Sequence, residues 1–148
     1  KDANGCAVSP DQYTVSYKGN TNAGKAQAVV TFTGEKISGN KTLNFVIGKA
    51  GQKMTVKTVK KTVKRSAVKK KAKSFKAAQV FTVKNSKGAV SYRKAGGDQK
   101  LGISSSGKVK VKKGIKKGTH KMTVKVTANG NGNYKSMAKK VTVTVVVK

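Results

Sequence analysis

The chain has 148 residues, and its 34 Lys and Arg residues against 4 Asp and Glu residues give a formal net charge of +30. This length allows one or two small domains. The charge excludes a neutral globular enzyme and indicates an anionic partner or an anionic setting. No apolar run is long enough to span a membrane, and residues 1–5 lack the features of a signal peptide.

The basic residues are almost all lysine, because only Arg65 and Arg93 are arginine. Arginine is the side chain that forks onto phosphates and stacks on bases. The composition therefore disfavours a dedicated nucleic-acid-binding protein. The single cysteine, Cys6, has no second cysteine in the chain with which to form a disulfide.

The positive charge is concentrated in the later part of the chain. Residues 1–50 contain six Lys and three acidic residues, for a net charge of +3, whereas residues 51–148 contain 28 basic residues and one acid, for +27. Between them, residues 47–52 include two glycines and are typical of a short linker. We therefore predict a domain boundary near Ala50.

Alternation of apolar and polar residues predicts strands in the second region. Val141, Val143, Val145 and Val147 share one parity, and β-branched residues at a period of two are typical of a half-buried strand. Turn residues separate segments that we predict as strands at 54–59, 75–83, 89–93, 101–104, 108–111, 119–128 and 137–147. About seven short strands in about 100 residues indicate an immunoglobulin-like sandwich. Residues 66–73 lack strict alternation and could form a helix instead.

The first region contains three predicted strands, at 13–17, 25–33 and 41–47. Three strands do not easily close a sandwich, and a module of about 50 residues buries little surface. The strands therefore either pack on the second region or belong to a module whose other strands lie upstream. The expected fold class is all-β, with a partial Ig-like β module at 1–50 followed by an Ig-like β-sandwich at 51–148.

A run of turn and strand residues near the start of the chain matches a repeat signature. Its residues are Asp11, Tyr13, Thr14, Val15, Ser16, Tyr17, Asn20, Thr21, Asn22, Ala23 and Gly24, continuing through Val30, Thr31, Phe32, Thr33, Gly34 and Gly39. They resemble bacterial Ig-like repeats of large Gram-positive surface proteins, although Gln12 and residues 35–37 depart from the pattern. Since strands precede this signature in such repeats, the resemblance implies that residues 1–50 are the C-terminal part of one repeat.

The second region carries a further set of motifs. They lie at 81–88, 90–92, 103–109, 117–119 and 128–135. Together they resemble a second, Lys-rich type of Ig-like repeat from similar proteins. The resemblance implies export and residence at the cell surface or outside the cell, where such repeats mostly act as spacers beside other domains.

Side chains suited to catalysis or metal binding are scarce. They are Asp2, Asp11, Glu35, Asp98, His120 and Cys6. A Cys–His nucleophile pair would require Cys6 and His120 to meet from different modules, and no cluster has zinc or calcium spacing. We therefore expect no enzymatic activity, no metal and no cofactor. We also expect Asp98 to be a turn residue rather than the acid of a Lys–Asn crosslink, and His120 to be an exposed strand residue.

Two clusters of basic residues are the candidate polyanion-binding residues. The first consists of Lys57, Lys60, Lys61, Lys64, Arg65, Lys69, Lys70 and Lys71, and the second of Lys108, Lys110, Lys112, Lys113, Lys116, Lys117, Lys121 and Lys125. One interpretation is a solvated face with a compositional bias. The other is diffuse attraction to anionic cell-wall or host glycopolymers, for which mobile lysine charges need no fixed geometry.

These observations favour an extracellular structural or stalk module of a bacterial surface protein, adhering electrostatically to anionic polymers and flanked by neighbouring repeats or domains. The alternative is a self-assembling module, because an incomplete first repeat exposes a sheet edge that can accept a strand from a neighbouring copy. A third hypothesis is a basic nucleic-acid-binding protein. The scarcity of exposed aromatic residues and the strand alternation argue against that third hypothesis.

Overall fold

A computed structural model describes residues 5–148 of the chain. Residues 1–4, which include Asp2 and most of the segment considered above for a signal peptide, lie outside this part. The chain divides into two compact units, Lys1–Ala50 and Gly51–Lys148. The described part of each consists mainly of β-strands, with short helices and turns between them, so the fold class is all-β.

The first unit is a three-stranded antiparallel meander in the order β1-β2-β3. A 3-10 helix, Pro10–Gln12, leads into β1 (Tyr13–Lys18), β2 (Gly24–Gly34) and β3 (Ile37–Ile47). The three predicted strands are present, and β3 begins four residues earlier than expected. Gly39 adopts a positive φ of 104° within β3, a conformation that glycine adopts without strain.

One face of this meander is apolar. Residues that pair directly across strands share a face, and the observed pairs, such as Val15 with Val30 and Ala28 with Leu43, collect most of the apolar side chains on one side. Lys41 lies on the same face, opposite Val30, whereas Val29 and Val46 lie on the other. This apolar face consists of Tyr13, Val15, Tyr17, Ala26, Ala28, Val30, Phe32, Leu43, Phe45 and Ile47. Only Ala26 among them is buried. The sheet therefore presents most of its apolar face to solvent.

The second unit contains nine strands and two short helices. They are β4 (Thr55–Thr58), β5 (Lys61–Val63), α1 (Arg65–Lys69), β6 (Lys73–Phe75), α2 (Ala77–Val80), β7 (Phe81–Lys84), β8 (Val90–Gly97), β9 (Leu101–Ile103), β10 (Val109–Val111), β11 (Gly118–Ala128) and β12 (Met137–Val147). Four of the strands form a sheet in the order β5-β12-β11-β8. The pair β4-β7 and the trio β6-β10-β9 contribute residues to the same hydrophobic core as this sheet, so we describe them as the opposite layer. The unit is a β-sandwich with one hydrophobic core between its layers.

The alternation of inward and outward side chains along the strands determines which residues form the core. The inward residues of β11 are Met122, Val124 and Val126, and those of β12 include Val143 and Val145, all with 0% exposure. Burying a side chain of this size contributes about 1.5–3 kcal/mol each, before the opposing loss of conformational entropy. The residues of opposite parity on β11 include lysines and threonines that face outward. One set of residues thus holds the sandwich together while the other carries its charge.

The predicted strand at 75–83 is wrong as a single element. It is interrupted by α2, one helical turn in which the Lys76 N–H donates to the Gln79 side chain at 2.8 Å. Ala and Gln are good helix formers. The turn also shifts the parity, so that Phe75, Val80 and Phe81 can all be buried in the core. An uninterrupted strand would send Val80 and Phe81 to opposite faces.

Further elements differ from the sequence-based predictions. Strand β8 extends four residues beyond its predicted end at 93, and β6 begins at Lys73, the last residue of the segment considered for a helix. Strand β5 was not predicted, because Lys61, Thr62 and Val63 show no alternation of apolar and polar residues. It pairs in parallel with the last residues of β12, from Val145 to Val147. The helix considered at 66–73 is present as α1, which begins one residue earlier and is shorter.

The end of the predicted linker is an integral part of the sandwich. Gln52 is buried, and its Nε2 donates to the carbonyl oxygens of Lys135 and Ala128 at 2.7 and 3.3 Å. Its Oε1 accepts the N–H of Lys87 at 2.8 Å. This one side chain therefore ties together the β7–β8 turn, the end of β11 and the segment before β12.

We predict that Gln52→Ala destabilises the second unit by about 1–3 kcal/mol, because it removes these hydrogen bonds and leaves polar groups unsatisfied. Differential scanning calorimetry of the full chain is the measurement. Gln99→Ala, at an exposed position of the same unit, serves as the control and should shift the unfolding transition little. Equal shifts for the two variants would show that the Gln52 contacts add no stability.

Candidate functional site

The second predicted basic cluster is split between the two layers of the sandwich. Lys110 lies at the centre of the trio β6-β10-β9, and Lys108, Lys112 and Lys113 flank it along the chain. Lys121 and Lys125 lie on β11, in the four-stranded sheet of the other layer. Lys116 and Lys117 occupy the turn that leads into β11. Neighbours in sequence are therefore not one patch in space.

The first predicted cluster follows the irregular edge of the unit. Lys57 lies in β4, Lys61 in β5, and the others in the loops and the short helix that follow. Lys57, Lys60, Lys64, Lys69, Lys70 and Lys71 are exposed, whereas Lys61 and Arg65 are half-buried. The Arg65 Nη1 atom is buried, and no hydrogen-bond partner for it lies within residues 5–148. The basic side chains of this cluster are spread along the edge of the unit and do not form a pocket.

Two basic residues outside both predicted clusters lie beside Lys125. Strand register pairs Lys125 with Lys140 on β12 and with Arg93 on β8. All three are exposed. The predicted strands end at 128 and begin again at 137, so counting away from those two ends could have placed Lys140 opposite Lys125. No comparable signal for Arg93 exists in the sequence, because β8 is distant from β11 along the chain.

His120 lies in a strand, β11, as expected, but it is half-buried rather than exposed. Its side chain is 15% exposed, and its Nδ1 lies 2.5 Å from the Asp98 Oδ2. The His120 Nε2 lies 2.9 Å from the Lys116 carbonyl oxygen. Asp98 does lie in the β8–β9 turn, and its Oδ1 accepts the Lys100 N–H at 2.6 Å. The pair thus fastens that turn to β11.

The hydrogen bonds around His120 determine its charge. A carboxylate and a backbone carbonyl are both acceptors, so both ring nitrogens must donate, and only the imidazolium form does so. The hydrogen bond with Asp98 raises the pKa of His120 above its ordinary value of 6.5. The hydrogen bonds from His120 and Lys100 lower the pKa of Asp98 below its ordinary value of 3.8. His120 has no lone pair left to act as a general base in this arrangement.

The remaining chemically active groups do not form a constellation. Cys6 is exposed in the first unit. Within residues 5–148, no three His, Cys, Asp or Glu side chains come together in a way that could hold a metal ion. The helices in the same part of the chain are all too short or too polar to span a bilayer.

One open groove lies on the first unit. It has a volume of about 550 Å³ and is lined by Lys18, Gly19, Lys25, Ala26, Gln27, Asn44, Phe45 and Val46. The Gln27 Nε2 donates to the Asn44 Oδ1 at 3.0 Å. The lining contains no Asp, Glu, His, Cys, Ser, Thr or Tyr residue.

Comparison with known proteins identifies no family. No protein-family model and no curated protein matches the chain. Among solved structures, Drosophila N-cadherin EC1-4 shares 13% identity at a TM-score of 0.46, covering 92% of this chain and 42% of that one. Drosophila N-cadherin EC1-3 shares 13% identity at a TM-score of 0.42, covering 84% and 42%.

A third similar structure is the endo-fucoidan hydrolase MfFcnA4 from glycoside hydrolase family 107. It shares 10% identity at a TM-score of 0.36, over 96% of this chain and 23% of that one. The chain therefore spans less than half the length of each of these three structures. At these identities and TM-scores, the likeness carries no inference about what this chain binds or does.

The His120–Asp98 pair predicts a pH dependence of stability. Because the folded state raises the pKa of His120, its contribution is complete below pH 6.5 and is lost as the pH rises through the folded value. Because the folded state lowers the pKa of Asp98, its contribution is present above pH 3.8 and is lost as the pH falls through the folded value. The pair therefore stabilises the fold most between these two pH values.

Chemical unfolding at about pH 5.5 and pH 8.5 measures the effect, and histidine is the side chain that ordinarily titrates between them. We expect a lower free energy of unfolding at the higher pH, and a smaller difference in His120→Gln. The chain has a single histidine, so its NMR titration is unambiguous, and Asp98→Asn should lower the pKa of His120. A wild-type chain equally stable at both pH values would contradict the assignment.

Proposed function

We propose that the chain is an extracellular structural module of a bacterial surface protein, in which the second unit holds anionic cell-wall or host glycopolymers by electrostatic attraction. The observation that carries this proposal is the placement of charge on the sandwich. The basic residues of the second unit are exposed, apart from the half-buried Lys61, Arg65 and Lys94. The apolar residues of the same strands fill the core. The resemblance to bacterial Ig-like repeats supports the surface setting.

The charge is almost entirely uncompensated within the unit. Asp98 is the one acidic side chain among residues 51–148, and it faces His120 rather than a lysine. A surface of one sign concentrates counter-ions and attracts polyanions over distances of about a Debye length, which is about 8 Å at physiological ionic strength. Lysine suits such diffuse attraction, because its flexible stem lets the charge follow a polymer without fixed geometry.

The side chains present support a role without catalysis. Both ring nitrogens of His120 face acceptor oxygens, those of the Asp98 carboxylate and the Lys116 carbonyl. Nucleophilic catalysis requires a base with an available lone pair beside the nucleophile. A spacer or display module needs neither, but it does need a closed core and a soluble surface, which the second unit has.

Salt dependence tests the electrostatic proposal. We expect the full chain to be retained on beads that carry an anionic polysaccharide, not on neutral dextran beads. We expect release as NaCl rises from about 0.05 to 1 M, since the Debye length falls to about 3 Å at 1 M. Retention that ignores salt would contradict the proposal.

A variant of the first unit tests whether the lysines of that unit contribute to retention on the beads. Lys18, Lys25 and Lys36 are exposed in that unit, and replacing all three by Gln should change the NaCl concentration at release little. A large loss of retention in this control would assign the binding to the first unit.

A second candidate function, self-assembly, is favoured by one specific observation. Tyr17 is 57% exposed, Leu43 51% and Val15 43%, all on the apolar face of the meander. Exposed apolar patches of this kind mark interaction sites in folded proteins. The first unit also carries little net charge, so like-charge repulsion opposes its association less than that of the second unit. A neighbouring copy that contributes strands or its own face could cover these side chains.

Sedimentation velocity at increasing protein concentration tests self-assembly. We expect the sedimentation coefficient to rise with concentration. We expect Leu43→Lys to abolish the rise, because it replaces an exposed apolar side chain by a second charge beside Lys41. Thr42→Lys, on the opposite face of the same strand, is the matched control and should still associate. A wild-type chain that stays monomeric at high concentration would rule the function out.

A further inference from the structure

Three cations form a row across the outer face of the four-stranded sheet. Lys125 on β11 pairs directly with Lys140 on one side and with Arg93 on the other. Side chains that pair directly across antiparallel strands have Cβ atoms about 4.5–5.5 Å apart. The three Cβ atoms therefore span about 10 Å, the width of two strand spacings. We call Arg93, Lys125 and Lys140 the cationic row.

The cationic row is costly for the fold when nothing is bound to it. Like charges directly opposite each other destabilise a sheet. No acidic side chain is available to relieve them, because Asp98 is the one acid of this unit and is committed to His120 and the Lys100 N–H. An external anion at the row would offset the repulsion of all three side chains at once.

Several features near Arg93 fix the backbone of strand β8. The adjacent Lys94 points to the other side, and its Nζ donates to the carbonyl oxygens of Asp98 and Leu101 at 2.5 and 2.9 Å. Just beyond, the register of β8 against β11 shifts at a bulge next to Thr123, and bulges re-aim neighbouring side chains. Gly97 ends the strand at a φ of +90°, where a Cβ would approach the Lys121 carbonyl oxygen to 2.5 Å.

Hydroxyl side chains border the cationic row on both sides. Thr127 pairs with Ser91 beyond one side of the row, and Thr123 pairs with Thr142 beyond the other. Hydroxyls both donate and accept hydrogen bonds, as do the hydroxyls of a sugar. The outward positions of these strands include no aromatic residue, whereas binding of single-stranded nucleic acid relies on aromatic stacking. The face therefore suits an anionic carbohydrate better than a nucleic acid.

We propose that the cationic row and its hydroxyl borders are a defined binding site for a polysaccharide that carries sulfate or phosphate ester groups. The inference rests on the proposed function, since it places the polyanion contact of the second unit at one face. Arg93 matches two oxygens of a tetrahedral oxyanion with its planar fork. Lys125 and Lys140 add point charges beside it, and the hydroxyls contact the sugar ring. Two of these three basic residues lie outside the clusters that the sequence suggests.

Matched variants of the full chain test the site. The row variant carries Arg93→Gln, Lys125→Gln and Lys140→Gln, and the control carries Lys108→Gln, Lys110→Gln and Lys112→Gln on the other layer. Both remove three charges. Calorimetric titration with a heparin oligosaccharide and with a phosphomannan distinguishes sulfate from phosphate as the preferred group. We expect the row variant to lose roughly tenfold or more in affinity for at least one of them, and the control about threefold or less.

Arg93→Lys separates a built site from diffuse attraction, because it keeps the charge and removes the fork. We expect Arg93→Lys to weaken binding about threefold or more. If binding depends only on diffuse attraction, the affinity should stay the same. The variants lie at exposed positions and the row variant relieves repulsion, so its thermal midpoint without ligand should not fall. If that midpoint does fall, Arg93→Lys alone decides the question.

The other outcomes distinguish failure of the site from failure of the proposed function. Equal losses in the row variant and the control would overturn the site but leave electrostatic polymer binding in place. No binding of either polysaccharide by the wild-type chain would overturn both. Equal affinity for polyglutamate would overturn the preference for tetrahedral oxyanions. Tighter, row-dependent binding of polyuridylate would reassign the site to nucleic acid.

Discussion

The pairing of β11 with β12 is the constraint on which the second unit depends. Eleven residues of each strand pair without interruption, from Gly118 with Val147 to Ala128 with Met137. Because neighbouring residues point to opposite faces, this one register decides which side chains enter the core. A slip of one residue in β11 would expose Met122, Val124 and Val126 and would turn Lys121 and Lys125 inward. The cost of burying unpaired lysines makes such a slip prohibitive.

The lysines therefore act on the fold as well as on partners. On strands such as β10 and β11 they alternate with valines, and they specify which face remains in water. They also discourage edge-to-edge pairing between molecules, which is a hazard for any protein made of short strands. The disadvantage is mutual repulsion in a unit with a single acidic side chain. An anionic environment would offset that repulsion, which links the stability of the sandwich to its proposed setting.

Much of the fold could be predicted from local pattern. Strand β12 is observed where alternation places it, and β11 begins one residue earlier. The alternating pattern fails at the helical turn α2. This turn allows the adjacent residues Val80 and Phe81 both to be buried, which a two-residue period cannot describe. The pattern also fails for Gln52, whose polar side chain in a glycine-rich segment suggests a linker. Only the three backbone groups that surround it in the fold show that it is structural.

The candidate site was even harder to predict from the sequence than the fold. Clusters along the chain suggested where the charge lies, yet β10 and β11 carry their lysines to opposite layers. Arg93, Lys125 and Lys140 become neighbours only through two strand registers, and His120 meets Asp98 across 22 positions of sequence. Such contacts depend on how strands pair, which composition does not encode. The resulting face carries the positive charges of the cationic row between hydroxyl side chains. It has no carboxylate to neutralise those charges. The second unit supplies no side chain that neutralises these three cations, so an anion bound across the row is the partner that would relieve their mutual repulsion.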